Sequence, residues 1–138
     1  MTLKPVHFFI QMNKGFSINQ EQFELLVHRA LEEIPQEFLD KIKNVEIFIE
    51  KYPSPELKRK LGLGEKDLLF GLYQGVPRPE KSFFQPIHLP DRITLFIEPM
   101  LNTCNSEEQL QRRIRKTLIH EVAHFFGFSE EKIRRLGY

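Results

Sequence analysis

A five-residue stretch near the carboxyl end has the residue types and spacing of a catalytic metal site. His120 and His124 are four residues apart, so on a helix both imidazoles lie on one face, one turn apart. Glu121 lies beside them, where its carboxylate can hold a water on a shared ion without binding the ion. This H-E-x-x-H pattern is typical of the zinc helix of metalloproteases, with two ligands and one general base. The structural alternative is a histidine pair satisfied in the core or on a helix surface.

A third ligand is expected, because catalytic zinc commonly binds three protein groups and leaves one position for water. Glu130 is the candidate, since it lies three residues past Gly127, where a glycine can turn the chain back towards the ion. A structural role is also open. Ser129 has the features of an N-cap, so Glu130 and Glu131 would then begin a last helix and offset its dipole. The two roles are compatible.

The helix that carries the motif has a predicted start, an apolar face and an end. Ser106 and Gln109 form a capping box, in which Gln109 reaches back to the N-cap residue. An apolar residue then recurs every four positions, as on the buried side of an amphipathic helix: Leu110, Ile114, Leu118, Val122 and Phe126. Gly127 follows, where a left-handed C-terminal cap favours glycine. The pattern therefore places His120 and His124 at the border between core and cleft.

The composition is that of one ordinary globular domain spanning residues 1–138. Apolar residues make up 41%, and the net charge of +1 gives no overall bias towards nucleic acid or membranes. The single cysteine, Cys104, excludes an internal disulfide and a multi-cysteine zinc site, so we expect a reduced thiol in a loop. No stretch approaches the length of a membrane helix, and the N-terminal apolar run is too short for a signal peptide. We therefore expect a cytoplasmic monomer.

The elements before the metal helix predict an α+β fold, in which helices cover one side of a small sheet. Residues 1–15 are either an extra strand, over 6–12, or an extension. A helix is predicted from its N-cap at Ser17 to a break at Pro35, followed by a short helix over 36–42.

Three strands are predicted from alternating apolar residues and the prolines and glycines that bound them, over residues 45–52, 68–74 and 93–98. A helical turn over 56–61 separates the first two strands, and a proline-rich loop over 75–90 separates the last two. Such a long loop requires either a function or disorder to explain it. Pro99 stops the third strand, residues 101–105 link it to the metal helix, and a short helix over 130–136 ends the chain.

From about Phe23 to Tyr138 the chain resembles the small bacterial zincin-like metallopeptidases, sometimes described as minimal zincins. The resemblance rests on several segments that together are far more specific than the zinc motif alone: residues 23–38, 72–77, 89–95 and 120–127 with the acid that follows. Residues 1–15 and 80–88 match the family poorly.

The resemblance implies a compact zincin-like domain, with a small mixed sheet covered by helices and the metal helix near the C-terminus. It implies Zn2+ bound by His120 and His124, with Glu121 as the base. The family commonly carries aspartate where this chain has Glu130, whose side chain is longer by one methylene. We expect a zinc-dependent metallopeptidase that hydrolyses a peptide or protein substrate. The alternative is a zinc-binding zincin-like protein without peptidase activity, acting as a regulatory or interaction module.

Further site residues are expected around the metal. A peptide is predicted to pair with an exposed strand edge over 93–98 by β-augmentation. Tyr73, Arg92 and Tyr138 are candidates for stabilising an oxyanion, although each also has an ordinary structural role. His88, in the loop, is a further residue that could approach the metal or lie on the surface.

A different function class is a basic helix that binds phosphate or RNA. Basic residues cluster on the metal helix and near the end of the chain: Arg112, Arg113, Arg115, Lys116, Lys132, Arg134 and Arg135. Such a cluster is more often a solvated helix face, and the neighbouring acids Glu107, Glu108, Glu130 and Glu131 offset it. We therefore expect neither a nucleic acid nor a membrane as partner.

Overall fold

The computed structural model describes residues 2–4, 9–11, 17–75 and 90–138. In chain order its elements are β1 (Thr2–Lys4), β2 (Phe9–Gln11), β3 (Ser17–Asn19), α1 (Gln20–Glu32), α2 (Gln36–Leu39), β4 (Val45–Glu50), α3 (Pro55–Lys60), β5 (Gly71–Gln74), β6 (Asp91–Phe96), α4 (Ile97–Asn102), α5 (Glu107–Phe125) and α6 (Glu130–Arg135). A 3-10 turn, Asp40–Ile42, extends α2, so the short helix predicted over 36–42 is confirmed. The predicted α+β class is also confirmed.

The main sheet is mixed and has the strand order β1-β4-β6-β5. Strands β1, β4 and β6 are parallel to one another, whereas β5 runs antiparallel to β6. Strands β2 and β3 pair separately as an antiparallel ribbon. The prediction that residues 93–98 form an open edge is therefore wrong, because β6 lies between β4 and β5. Within the described residues, β1 and β5 are the edges of the main sheet.

The core lies between one face of this sheet and the helices. Alternate side chains of β4 and β6 are buried there, as the period of a strand requires: Val45, Ile47, Ile49, Ile93 and Leu95. Helices α1 and α5 pack against each other over them. Leu118 of α5 and Phe23 of α1 have no exposed surface. The opposite face of the sheet carries polar residues such as Glu50 and Arg92, and α3 borders it.

The first helix begins later than the pattern predicts. Asn19 is its N-cap: the Asn19 side chain accepts a hydrogen bond from the Gln22 N–H, and Gln22 accepts one from the Asn19 N–H. Ser17, the predicted N-cap, belongs instead to β3. Of the strand predicted over 6–12, residues 9–11 form β2, and the others lie outside the described residues.

Helix α4 occupies the segment where the pattern predicts a strand end and a linker. Pro99 is its third residue, in the first turn, where a missing N–H costs no helical hydrogen bond. The helix is buried almost all round: Ile97, Met100 and Leu101 have no exposed surface, and Glu98 and Pro99 are also buried. Two predicted strands are also shorter in the structure, since β4 ends at Glu50 and β5 begins only at Gly71. None of the helices in the described ranges combines the length and apolarity of a membrane crossing.

Candidate metal centre

Helix α5 carries the metal motif and is fixed at its start by a side-chain cap. Ser106 Oγ accepts a hydrogen bond from the Gln109 N–H at 3.2 Å, as predicted. Gln109 Oε1 accepts from the Asn105 N–H at 2.7 Å, one residue before the predicted partner. The buried stripe runs through Leu110, Ile114, Leu118 and Val122. Phe126 does not extend this stripe and is 40% exposed, because α5 ends at Phe125.

The chain reverses direction immediately after the motif. Gly127 has a φ of +83°, the left-handed conformation in which glycine is favoured. The Gly127 N–H donates to His124 O and the Phe128 N–H donates to Ala123 O, which closes the C-terminal cap predicted for this glycine. Ser129 then caps α6 by accepting from the Lys132 N–H at 3.1 Å. The turn therefore returns the first residue of α6 towards the last turns of α5.

This turn brings three candidate ligands together. His120, His124 and Glu130 offer ligand atoms that lie within 4.8 Å of one another. Glu130 Oε1 lies 2.6 Å from His124 Nε2, and Glu130 Oε2 lies 3.9 Å from His120 Nδ1. Glu130 is also the first residue of α6, as the N-cap at Ser129 predicted, and this position is compatible with a ligand role.

Burial sets the protonation preferences of the motif. Desolvation lowers the pKa of His120; Glu130 opposes this shift, while Lys116 and His124 add to it. The imidazole therefore favours the neutral form, which is the form that binds metal. Burial raises the pKa of Glu121 to about 7, although His124 acts in the opposite direction. A carboxyl group with such a pKa can accept a proton and release it again near neutral pH.

The residues present fit a divalent metal ion. Two imidazoles and one carboxylate are a donor set known from catalytic zinc sites. With ligand distances of about 2.0–2.2 Å, donor atoms around a tetrahedral ion lie roughly 3.3 Å apart, and the separations of 2.6 Å and 3.9 Å lie on either side of this value. His120 Nε2 is buried and has no hydrogen-bond partner among the described residues. This is the ring nitrogen opposite the one that faces Glu130, and a water bound there would remove the cost of that unpaired atom.

Strand β5 lies alongside the metal helix. A Cβ on Gly71 would be 2.7 Å from Thr117 Cγ2, and a Cβ on Gly75 would be 2.8 Å from Phe125 Cζ. Both glycines therefore permit a closer approach than any other residue would allow. From Gly71 to Gly75 the contact on α5 moves from Thr117 to Phe125, so β5 and α5 run in the same direction. The metal motif lies between these two contacts.

A groove of about 1180 Å³ follows this pair of elements. We call it the α5 groove and define it by three parts that line it. The metal end contains His120, Glu121, His124 and Glu130. One wall is residues 68–71, and the basic end contains Arg112, Arg113 and Lys116.

The three oxyanion candidates have different surroundings. Tyr73 is 8% exposed, donates from its hydroxyl to Asp91 Oδ2 at 2.8 Å and stacks on Phe125. Arg92 lies on the opposite face of the sheet, with its guanidinium 3.8 Å from the centre of the Phe48 ring. Tyr138 packs edge-on against Phe38 and is the one of the three candidates that lines the α5 groove.

Two other predicted residues are not part of the metal group. Cys104 is free, as predicted, but only 2% exposed, and burial raises the pKa of its thiol, with Arg113 acting in the opposite direction. A buried thiol with a raised pKa is a poor nucleophile. His88 and most of the loop predicted over 75–90 lie outside the described residues.

The wall formed by residues 68–71 was missed by the sequence interpretation, which treated them only as part of a strand. The signal was present in Gly71, because a glycine inside a strand often marks a close backbone approach. The position of Lys116 beside the metal motif could also have been predicted from the sequence. It lies four residues before His120 and therefore on the same side of the helix.

Comparison with known proteins agrees with this fold and identifies a family. The model of the zincin-like metallopeptidase family matches residues 42–138. The chain therefore belongs to the zincin-like metallopeptidase family, as the resemblance in sequence predicted, and this family implies a metal that is typically zinc. Among solved structures, a conserved hypothetical protein from T. thermophilus is 26% identical, with a TM-score of 0.52 over 83% of this chain and 97% of that chain. A search of curated proteins finds no match.

Proposed function

We propose that the protein is a zinc-dependent peptidase in which His120, His124 and Glu130 bind the metal and Glu121 is the general base. The observation that carries this proposal is the convergence of two imidazoles and a carboxylate within 4.8 Å, at one end of an open groove. Membership of the zincin-like metallopeptidase family supports it. The tight turn at Gly127 returns Glu130 to the histidines.

The metal and Glu121 have different roles in the proposed hydrolysis. Bound zinc supplies a Lewis acid that activates water and polarises the carbonyl of the peptide bond. Glu121 accepts the proton of the attacking water and passes it to the leaving amine. Its half-buried position beside His120 supports this role, because burial raises the pKa of Glu121 to about 7, which makes the carboxylate a better proton acceptor near neutral pH.

A substrate can reach the metal along the edge of β5. This strand is an edge of the described sheet, and it runs beside the motif on α5. An extended peptide that paired with β5 would lie over the α5 groove, with backbone hydrogen bonds supplying affinity independent of sequence. The proposed β-augmentation therefore uses Gly71–Gln74 and replaces the edge predicted over 93–98.

The test compares zinc-loaded wild type, Glu121→Gln and Glu131→Gln on a broad panel of unstructured fluorogenic peptides. Glu131 is the matched control, because it is exposed on α6 and pairs with Arg135 at 2.9 Å. Glu121→Gln should retain one zinc per chain and lose hydrolysis by about 10²–10⁴-fold, the usual contribution of a general base. Glu131→Gln should match wild type.

Two outcomes would change the proposal. Equal hydrolysis by wild type and Glu121→Gln would contradict the role of the base. Zinc binding by the wild type with no hydrolysis across the panel would contradict the peptidase and favour the other candidate, a zinc-binding regulatory or interaction module on the same scaffold.

A further inference from the structure

The part of the α5 groove that leads away from the metal has a strongly positive lining. Four cations line it: Arg112, Arg113, Arg115 and Lys116. The acidic residues among the described lining are Glu121 and Glu130, both at the metal end. No acidic residue in the described part of the chain therefore lines the basic end, although Glu107 and Glu108 begin the same helix.

Arg115 differs from the other three cations because it forms an ion pair. Arg115 Nη1 lies 2.9 Å from Glu33 Oε2, so its charge is already satisfied by α1. Among the described residues, Arg112, Arg113 and Lys116 have no such acidic partner within 4 Å. Arg113 instead lies over the Phe70 ring, 4.5 Å from its centre, which fixes it against the wall of the groove. Three positive charges are thus available to a ligand.

The spacing relates these charges to the bond that would be cleaved. A helix rises about 1.5 Å per residue, so Lys116 lies about 6 Å and Arg112 about 12 Å along α5 from His120. A peptide in an extended conformation advances about 3.3 Å per residue. The cations therefore lie beside positions roughly two to four residues from the scissile bond, all on the same side of it.

We propose that the α5 groove selects peptides with acidic side chains two to four residues to one side of the cleaved bond. The inference rests on the proposed peptidase and names its substrate class. Arg112 and Lys116, both exposed, supply the charge that recognises the carboxylates, while Arg113 and residues 68–71 form the wall beside the peptide. A negatively charged side chain gains from several cations at once, whereas a neutral side chain of equal size gains nothing.

Binding is tested first, without turnover. Zinc-loaded Glu121→Gln protein is titrated against two fluorescently labelled peptides, one of alternating Glu and Ala and one of alternating Gln and Ala, with anisotropy as the readout. The Glu peptide should bind about tenfold more tightly at low salt, because each of two partly exposed charge pairs tightens binding about threefold. The difference should shrink as salt is raised.

Charge variants then identify the residues responsible. Adding Arg112→Gln and Lys116→Gln together should reduce the preference for the Glu peptide to less than about threefold. Lys43→Gln with Arg59→Gln is the matched control, because it removes the same net charge from positions that do not line the groove. Zinc content is measured for every variant, so that peptide affinity lost together with the metal is not mistaken for affinity lost from the groove.

Three binding results would overturn the inference. They are equal binding of the two peptides, an equal loss of preference in the groove and control variants, and tighter binding of a single-stranded RNA oligonucleotide than of the Glu peptide. Hydrolysis separates this inference from the proposed function. Equal cleavage of neutral and acidic peptides overturns the acidic selectivity alone, whereas acidic preference in binding with no cleavage of any peptide overturns the peptidase alone.

Discussion

The core side and the groove side of helix α5 differ in exposure and in role, although they belong to one helix. On the core side, Leu110, Ile114 and Leu118 have no exposed surface. On the groove side, Lys116 is exposed, and the side chains of His120 and His124 are 22% and 44% exposed. The core side fixes where the helix lies, and the groove side determines what it can bind. The comparison teaches that the metal residues depend on the buried stripe for their position, whereas the stripe does not depend on them.

A second comparison concerns two carboxyl groups with raised pKa values. Glu98, on α4, is 8% exposed, and burial raises its pKa, with Lys51 acting in the opposite direction. Burial also raises the pKa of Glu121. Glu121 lies beside the candidate ligands, whereas Glu98 does not line the α5 groove. A perturbed carboxyl group alone is therefore no sign of a catalytic site, and the neighbouring imidazoles make the difference.

The largest expected effect on stability comes from the core side of α5. Leu118→Ala should lower the free energy of unfolding by about 2–5 kcal/mol, because a fully buried leucine leaves a cavity when it is truncated. Lys116→Ala, two residues away on the groove side, should change it by less than about 0.5 kcal/mol. Urea denaturation of the zinc-free proteins measures both. Similar decreases in the free energy of unfolding of the two variants would contradict the conclusion that the core side alone fixes the position of the helix.

A smaller effect is expected from Glu98→Gln, and it depends on pH. Because burial raises the pKa of Glu98 in the folded protein, the folded state binds more protons than the unfolded state above the ordinary value of 4.5. Its contribution to stability is therefore greatest at low pH and is lost as the pH rises through the folded pKa. The variant should gain stability relative to wild type as the pH rises from 4 to 8. A difference that stays constant over this range, measured by urea denaturation, would contradict the assignment.

Most of the candidate site could be predicted from sequence because its geometry is local. The histidine spacing, the Gly127 cap and the Ser129 cap each depend on a few adjacent residues, and all three have the predicted local structure. The position of Glu130 follows from the caps at Gly127 and Ser129, because two caps so close together in the chain leave the turn little conformational freedom.

The errors arise where distant segments decide the outcome. The position of β6 in the sheet depends on pairing with β4 and β5, which no pattern inside residues 91–96 reveals. Helix α4 was missed because Pro99 was interpreted as a break, although the first turn of a helix tolerates proline. Asn19 replaced Ser17 as the cap because Gln22 completes its capping box. The basic residues of α5 were visible in the sequence, but their shared groove with the metal residues required the fold.

The most direct test of the account is a zinc titration of the metal-free protein by calorimetry, comparing wild type with His124→Ala and with His28→Ala. His28 is the matched control, because it is an exposed histidine on α1, outside the candidate metal group. We predict one zinc per chain for wild type and His28→Ala, and an affinity weaker by more than about a hundredfold in His124→Ala, since a lost ligand should cost more than a lost outer partner. Equal zinc affinity in wild type and His124→Ala, or no zinc binding by the wild type, would contradict the central claim.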